Sequence, residues 1–216
     1  MPENLFETQY DLTKKSKLRI FYESNKILIF SSILALIVII AGYNYYEFKK
    51  EKRKILLSEN FIQAKVYLEN KNKTQAVEIL KKIIFSNDST YSTLSFFIIL
   101  NENLIDDKKE ISELFDHLLD NNKFDNEIEN LLLYKKALYK SNYVDESKLL
   151  EETKPLLNNK ESVWIGHALL MLGDFYFSKN EFIKAKDFYI QVLSKEDLQP
   201  DLYNQAKLKL ALISDD

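Results

Sequence analysis

The chain has 216 residues, room for one medium domain and an additional segment. With only three glycines and three prolines, it lacks the turn residues an all-β fold needs about every 8–12 positions, which points to helices joined by short polar turns. The absence of cysteine excludes disulfides, thiolate nucleophiles and thiolate zinc sites. The formal charge is −3, divided as +1 over residues 1–46 and −4 over 47–216, and so mildly acidic a main domain has no electrostatic footprint for nucleic acid.

Residues 1–26 read as a leader carrying Lys14, Lys15, Lys17, Arg19 and Lys26. Ile27 to Tyr46 follows without a formal charge. As a helix this stretch would be about 30 Å long, matching a hydrocarbon core. Ser31 and Ser32 are tolerable inside it because a helix lets serine bond back to its own carbonyls. Tyr43, Tyr45 and Tyr46 crowd one end and Phe21 and Tyr22 the other, where amphipathic aromatics favour the interface. A cleaved signal would have a shorter leader and a small-residue site, and Ala41-Gly42-Tyr43 is a poor one. A buried core helix is rarely apolar on every face in a chain this small. One uncleaved span over 27–46 is therefore expected. Lys49, Lys50, Lys52, Arg53 and Lys54 follow it, so five basic residues flank each end and the positive-inside rule does not choose a direction.

From Tyr43 to Lys154 there is neither glycine nor proline, so the first helix is expected to run on to about Asn70. Beyond it, polar clusters such as "ENKNKT" (69–74), "SNDST" (86–90), "DNNKFDN" (120–126) and "LNNKES" (157–162) separate stretches with helical i, i+3, i+4 spacing. Ile111, Leu114, Phe115 and Leu118 share one face, as do Leu131, Tyr134 and Leu138, with Ala137 beside them. Thr74, Asp107, Asn126 and Ser162 stand where an N-cap oxygen is needed, and Pro200 suits the first turn of a last helix.

Helix pairs recur about every 34 residues, the period of a tetratricopeptide repeat. "ALLMLGDFYFSKNEFIKAKDFYIQVL" (168–193) resembles that repeat: Gly173 and Ala185 are small where two helices approach, Tyr176 and Tyr189 fill the space between, and Asn180 sits at the turn. "ENFIQAKVYLENKNKTQAVEILKKII" (59–84) repeats the spacing with Ala64, Tyr67, Ala76 and Leu80. Neither unit ends in the expected proline; Asp88 and Asp197 stand there. The pairs at 91–121 and 127–157 keep the length and lose the small residues, with Leu149 where one is expected. The predicted fold is all-α: one N-terminal transmembrane helix, then over 47–216 a TPR-like α-solenoid of about four helical hairpins closed by a capping helix at 200–213.

No catalytic constellation is visible. The two histidines, His117 and His167, lack partners at metal-ligand spacing, His117 reads as part of a solvated face, and no glycine-rich phosphate loop exists. Acidic pairs such as Asp106-Asp107 and Glu151-Glu152 read as caps and solvated faces. No cofactor or metal is expected. Carrying over the repeat's groove positions points His167, Leu170, Asp174 and Phe177 inward from one unit, and Phe61, Lys65 and Leu68 from the other. Leu68, Leu170 and Phe177 read equally well as packing between repeats.

The whole layout, a leader with "FETQYDLTKKSKLRIFYESNK", one span, a basic exit and about four hairpins, resembles the bacterial tetratricopeptide-repeat protein that is an ancillary subunit of the Sec translocon. That resemblance implies a single-span inner-membrane protein with a cytoplasmic N-terminus and a periplasmic repeat domain. It implies a non-enzymatic adaptor whose partners are translocon subunits, periplasmic chaperones or client polypeptides. The alternative is a cytoplasm-facing membrane scaffold that assembles division or cytochrome-maturation machinery.

Overall fold

The structure, a computed structural model, describes residues 17–159, 162–195 and 198–214. Most of the leader, with Lys14 and Lys15, and also Glu161 and Asp197, lie outside the described residues. Among these the chain is helical without strands: α1 (Lys17–Glu69), α2 (Lys73–Ile84), α3 (Ser89–Asn101), α4 (Lys108–Asn121), α5 (Asn126–Lys140), α6 (Glu146–Asn158), α7 (Ile165–Ser178), α8 (Phe182–Leu193) and α9 (Pro200–Ser214). Two compact units divide the chain, Met1–Leu56 and Leu57–Asp216.

In the first unit α1 is apolar all round over 27–46. Ile27, Leu34, Val38 and Ile39 are each exposed by more than half, and mean hydropathy reaches 2.3 in the apolar window. The helix is thus long and apolar enough to cross a membrane. Ser31 and Ser32 both donate to the Leu28 carbonyl, at 3.0 and 2.8 Å, the back-bonding expected of them. The apolar run ends at Tyr46, while core packing begins at Leu57, the first buried apolar residue among the described ones.

The second unit is built from hairpins. Their turns explain why so few glycines suffice. Lys71, Asn103 and Asn180 take the left-handed conformation, at φ 59, 46 and 60°, in the turns after α1, α3 and α7. Each turn closes with a bond across five residues: Asn72 N–H to Tyr67 O at 2.8 Å, Leu104 N–H to Ile99 O at 3.0 Å, Glu181 N–H to Tyr176 O at 3.0 Å. This arrangement satisfies the last carbonyls of a helix and is normally a glycine's task; asparagine is the next best residue for it.

Caps sit close to the expected positions but not always on them. Asp107 caps α4 as predicted, accepting from Lys109 N–H at 2.8 Å. Asn72 caps α2 in place of Thr74, and Asp125 caps α5 in place of Asn126. In both cases a residue just upstream supplies the acceptor, and the expected cap falls inside the first turn. Ser162 caps only a short turn, accepting from Trp164 N–H, and α7 begins at Ile165 without a side-chain cap.

Burial follows the predicted face in α4, where Ile111, Leu114, Phe115 and Leu118 are all buried. In α5 the register is rotated. Leu132 and Ala137 are buried together with Asn130 and Lys140, while Tyr134 is half-buried and Leu138 is exposed. Tyr134 packs only against the edge of the core, and the polar Asn130 and Lys140 share the inner face. The small-residue marks fall at close approaches: Ala64, Ala76 and Ala185 have no exposed surface, and a Cβ on Gly173 would lie 2.4 Å from the Tyr189 ring. Helices α7 and α8 pack most extensively, then α2 with α3, α8 with α9, and α5 with α6. Second neighbours also touch, α5 with α7 and α7 with α9.

Two ionic knots cross between helices. Glu146 of α6 accepts from Tyr176 Oη and Lys184 Nζ, each at 2.9 Å, joining α6, α7 and α8. Burial and the Glu146 carboxylate push the Tyr176 hydroxyl up to about 12. Glu152 receives Lys136 at 2.9 Å and Lys140 at 2.6 Å, and Lys136 also reaches Asp116 at 2.7 Å. Glu152 is therefore no solvated surface residue but the centre of a cluster tying α4, α5 and α6. His117 lies on a partly exposed face, where its Nε2 is 2.8 Å from Asn87 Oδ1 and its ring meets Phe85 edge-on at 4.6 Å.

Candidate functional site

Stacking α5, α7 and α9 side by side leaves a cleft of about 540 Å³ between them. Its floor comes from α7, where His167, Leu170, Asp174 and Ser178 recur at helical spacing. Helix α5 and its following turn give Tyr134, Leu138, Ser141 and Asn142; α9 and the residue before it give Gln199, Asp201, Leu202 and Gln205. Position 173 is what allows this wall: the absence of a side chain there lets the Tyr189 ring of α8 lie flat beneath α7. The Tyr189 hydroxyl then emerges to donate to Asp174 Oδ1 at 2.7 Å.

Asp174 is doubly held, since Lys209 Nζ of α9 sits 3.0 Å from the same oxygen. Burial raises the Tyr189 hydroxyl far above its ordinary range, and the Asp174 carboxylate raises it further. At the other end of the cleft Tyr134 and Trp164 stack at 5.6 Å with planes 21° apart. The His167 ring lies against both, at 5.6 Å from Tyr134 and 5.0 Å from Trp164. Burial pushes the His167 imidazole below its ordinary value, and a hydrogen bond to the Val163 backbone opposes the shift. A smaller cleft of about 320 Å³ between α3 and α5 shares Leu138 and Asn142 with the first and adds Phe97, Leu100, Lys135 and Tyr139.

The chain matches no family model, no curated protein and no solved structure.

Of the sequence-predicted groove residues, the structure brings His167, Leu170 and Asp174 into the cleft. Phe177 is half-buried against Phe182, ring centroids 5.5 Å apart, and does not line it. The set from the first repeat is elsewhere: Phe61 packs on Tyr91 at 6.0 Å, Lys65 is exposed and Leu68 is half-buried. Sequence reasoning missed Leu138, Asn142, Trp164 and Gln205. Two signals pointed to them: the apolar stripe on α5 that the core does not use, and the single tryptophan of the chain beside the exposed Val163. Chemically, the cleft offers amides and hydroxyls that both donate and accept, two carboxylates, an aromatic shelf and three leucines. Such a lining suits a polypeptide backbone with mixed side chains. Among the described residues no group of three or more histidine or carboxylate side chains is placed to hold a metal.

Proposed function

We propose that the protein is a membrane-anchored, non-enzymatic adaptor, and that its helical domain is a tetratricopeptide-like solenoid that binds polypeptide segments along its odd-numbered helices. The observation that carries this reading is the cleft between the second-neighbour helices α5, α7 and α9, because stacked hairpins present such a surface on one side. Small residues at matching positions of two hairpins, Ala64 with Ala76 and Gly173 with Ala185, support it. In the fuller form suggested by the sequence resemblance, residues 1–26 are cytoplasmic, 27–46 cross a bacterial inner membrane and the repeat domain is periplasmic. Its partners there are translocon subunits, chaperones or translocating clients.

Photo-crosslinkers at Leu138 and Gln205, inside the cleft, are expected to give adducts with a secretory precursor or a translocon subunit. A crosslinker at Ile183, on α8 and 82% exposed, is expected to give none. Equal adducts from Ile183, or self-adducts only, would sink the adaptor reading. The cytoplasm-facing scaffold is favoured by the basic cluster directly after the apolar run. A reporter fused after Asp216 that is active only in the cytoplasm would select it.

A further inference from the structure

The polar end of the apolar run in α1 carries a grouping that the adaptor reading does not use. Tyr46 is the last residue before charges begin, and Lys49, Lys50 and Arg53 follow it at i+3, i+4 and i+7 of the same unbroken helix. At about 100° per residue these four side chains fall on one face, with Tyr43 and Lys54 on its flank. All six are exposed. The acidic residues of the stretch, Glu47 and Glu51, lie toward the opposite side with Phe48 and Ile55; Glu47 reaches only the edge of the basic face, 3.8 Å from Lys50. Lys52 turns away as well, its Nζ 4.5 Å from the Phe48 ring centroid. The cations are therefore sorted, three of them beneath a tyrosine.

We propose that the face formed by Tyr46, Lys49, Lys50 and Arg53 binds the phosphate of anionic phospholipids in the leaflet where the span leaves the membrane. The proposal rests on α1 being membrane-embedded over 27–46. A tyrosine at the end of a span lies at headgroup depth, where its hydroxyl can donate to a phosphate oxygen. The guanidinium fork matches phosphate geometry, and the two lysines add point charge. A zwitterionic headgroup brings its own cation, so the basic face selects lipids of net negative charge. The occupant is lipid rather than free phosphate because the span holds the face permanently beside the headgroup layer.

The full chain would be reconstituted in bilayers of equal phosphatidylglycerol and phosphatidylcholine, re-extracted in mild detergent, and its retained lipid quantified by mass spectrometry. The expected result is enrichment of phosphatidylglycerol that survives excess inorganic phosphate. With one basic residue giving roughly a fivefold preference, K49Q/K50Q/R53Q should lower that enrichment about tenfold or more. K17Q/R19Q/K26Q, at the other end of the span, should leave it unchanged. Equal retention of both lipids by the wild type, or enrichment that persists in K49Q/K50Q/R53Q, would overturn the proposal. Displacement by phosphate would reassign the face to soluble anions. A chain that washes off membranes in alkaline carbonate would refute the span itself, an outcome separable from an embedded chain with no lipid preference.

Discussion

Gly173→Ala sets two effects of known sign against each other. Alanine in a helix interior is better than glycine by about 1 kcal/mol. Here, however, the new methyl would lie 2.4 Å from Cε1, 2.7 Å from Cδ1 and 3.1 Å from Cζ of Tyr189. These are atoms of the ring body, not the end of a flexible chain. The ring has no exposed surface and is anchored by the 2.7 Å bond to Asp174, so it cannot swing aside. Overpacking of a well-filled core costs about 1–3 kcal/mol. Contact this close to the ring body belongs to the upper part of that range, about 2–3 kcal/mol, so the net expectation is a loss of about 1–2 kcal/mol. The first hairpin supplies the control, because Ala64 and Leu80 occupy the positions matching Gly173 and Tyr189, and both are fully buried. G173A should therefore cost less in a Y189L background, with a favourable coupling of about 1 kcal/mol or more in the double-mutant cycle. Urea unfolding of the full chain in mild detergent, followed by fluorescence of Trp164, the single tryptophan, would measure it. A G173A protein as stable as the wild type, or more so, would refute the close-approach argument.

The same titration tests the ionic cluster and the turns. Glu152→Gln leaves Lys136 and Lys140, with side chains 14% and 10% exposed, sharing a neutral amide, and should cost about 2 kcal/mol. Burial alone would raise the Glu152 carboxyl, but the hydrogen bonds and charges of Lys140 and Lys136 outweigh it and hold the group below its ordinary value. A depressed carboxyl contributes stability above its unfolded pKa, so wild-type stability should fall as pH drops below about 5, and E152Q should lose less over that window. A urea midpoint with the same pH slope in both proteins would contradict this. At Asn180, φ 60°, valine should cost about 1–2 kcal/mol while glycine is neutral or slightly stabilising. Equal midpoints for N180V and N180G would count against the turn assignment.

The long apolar helix and the breaks between the later helices were legible because their signals are local. A charge-free run, back-bonding serines and asparagine-rich breaks need no knowledge of distant residues. The face of α5 was misread for the opposite reason. Lys140 is tolerated inside only because Glu152 of α6 meets it at 2.6 Å, and no periodicity within α5 reveals a partner on another helix. The stripe of Leu131, Tyr134 and Leu138 was real, yet Leu138 borders the two clefts instead of the core, and Tyr134 packs against the core only from the cleft's edge. The groove was half legible. Three of the four positions on α7 follow from the repeat's spacing, whereas Phe61, Lys65 and Leu68 were placed by analogy with a unit whose neighbours differ: Phe61, which stands in the place of Leu170, packs on Tyr91 of α3.

Helix α5 is the one element that serves both hydrophobic clusters among the described residues. Leu132 and Tyr139 belong with Ala64, Leu80, Phe96 and Phe115, while Tyr134 and Ala137 belong with Leu172, Tyr176, Tyr189 and Ala206. A chain made from its N-terminus can therefore complete its first cluster once residue 140 has emerged, before any of α7 to α9 exists. The newly closed half would then offer α5 as a ready template for the second. Vectorial synthesis and the order of the two clusters run in the same direction, which spares the nascent protein a long wait with its apolar surface uncovered.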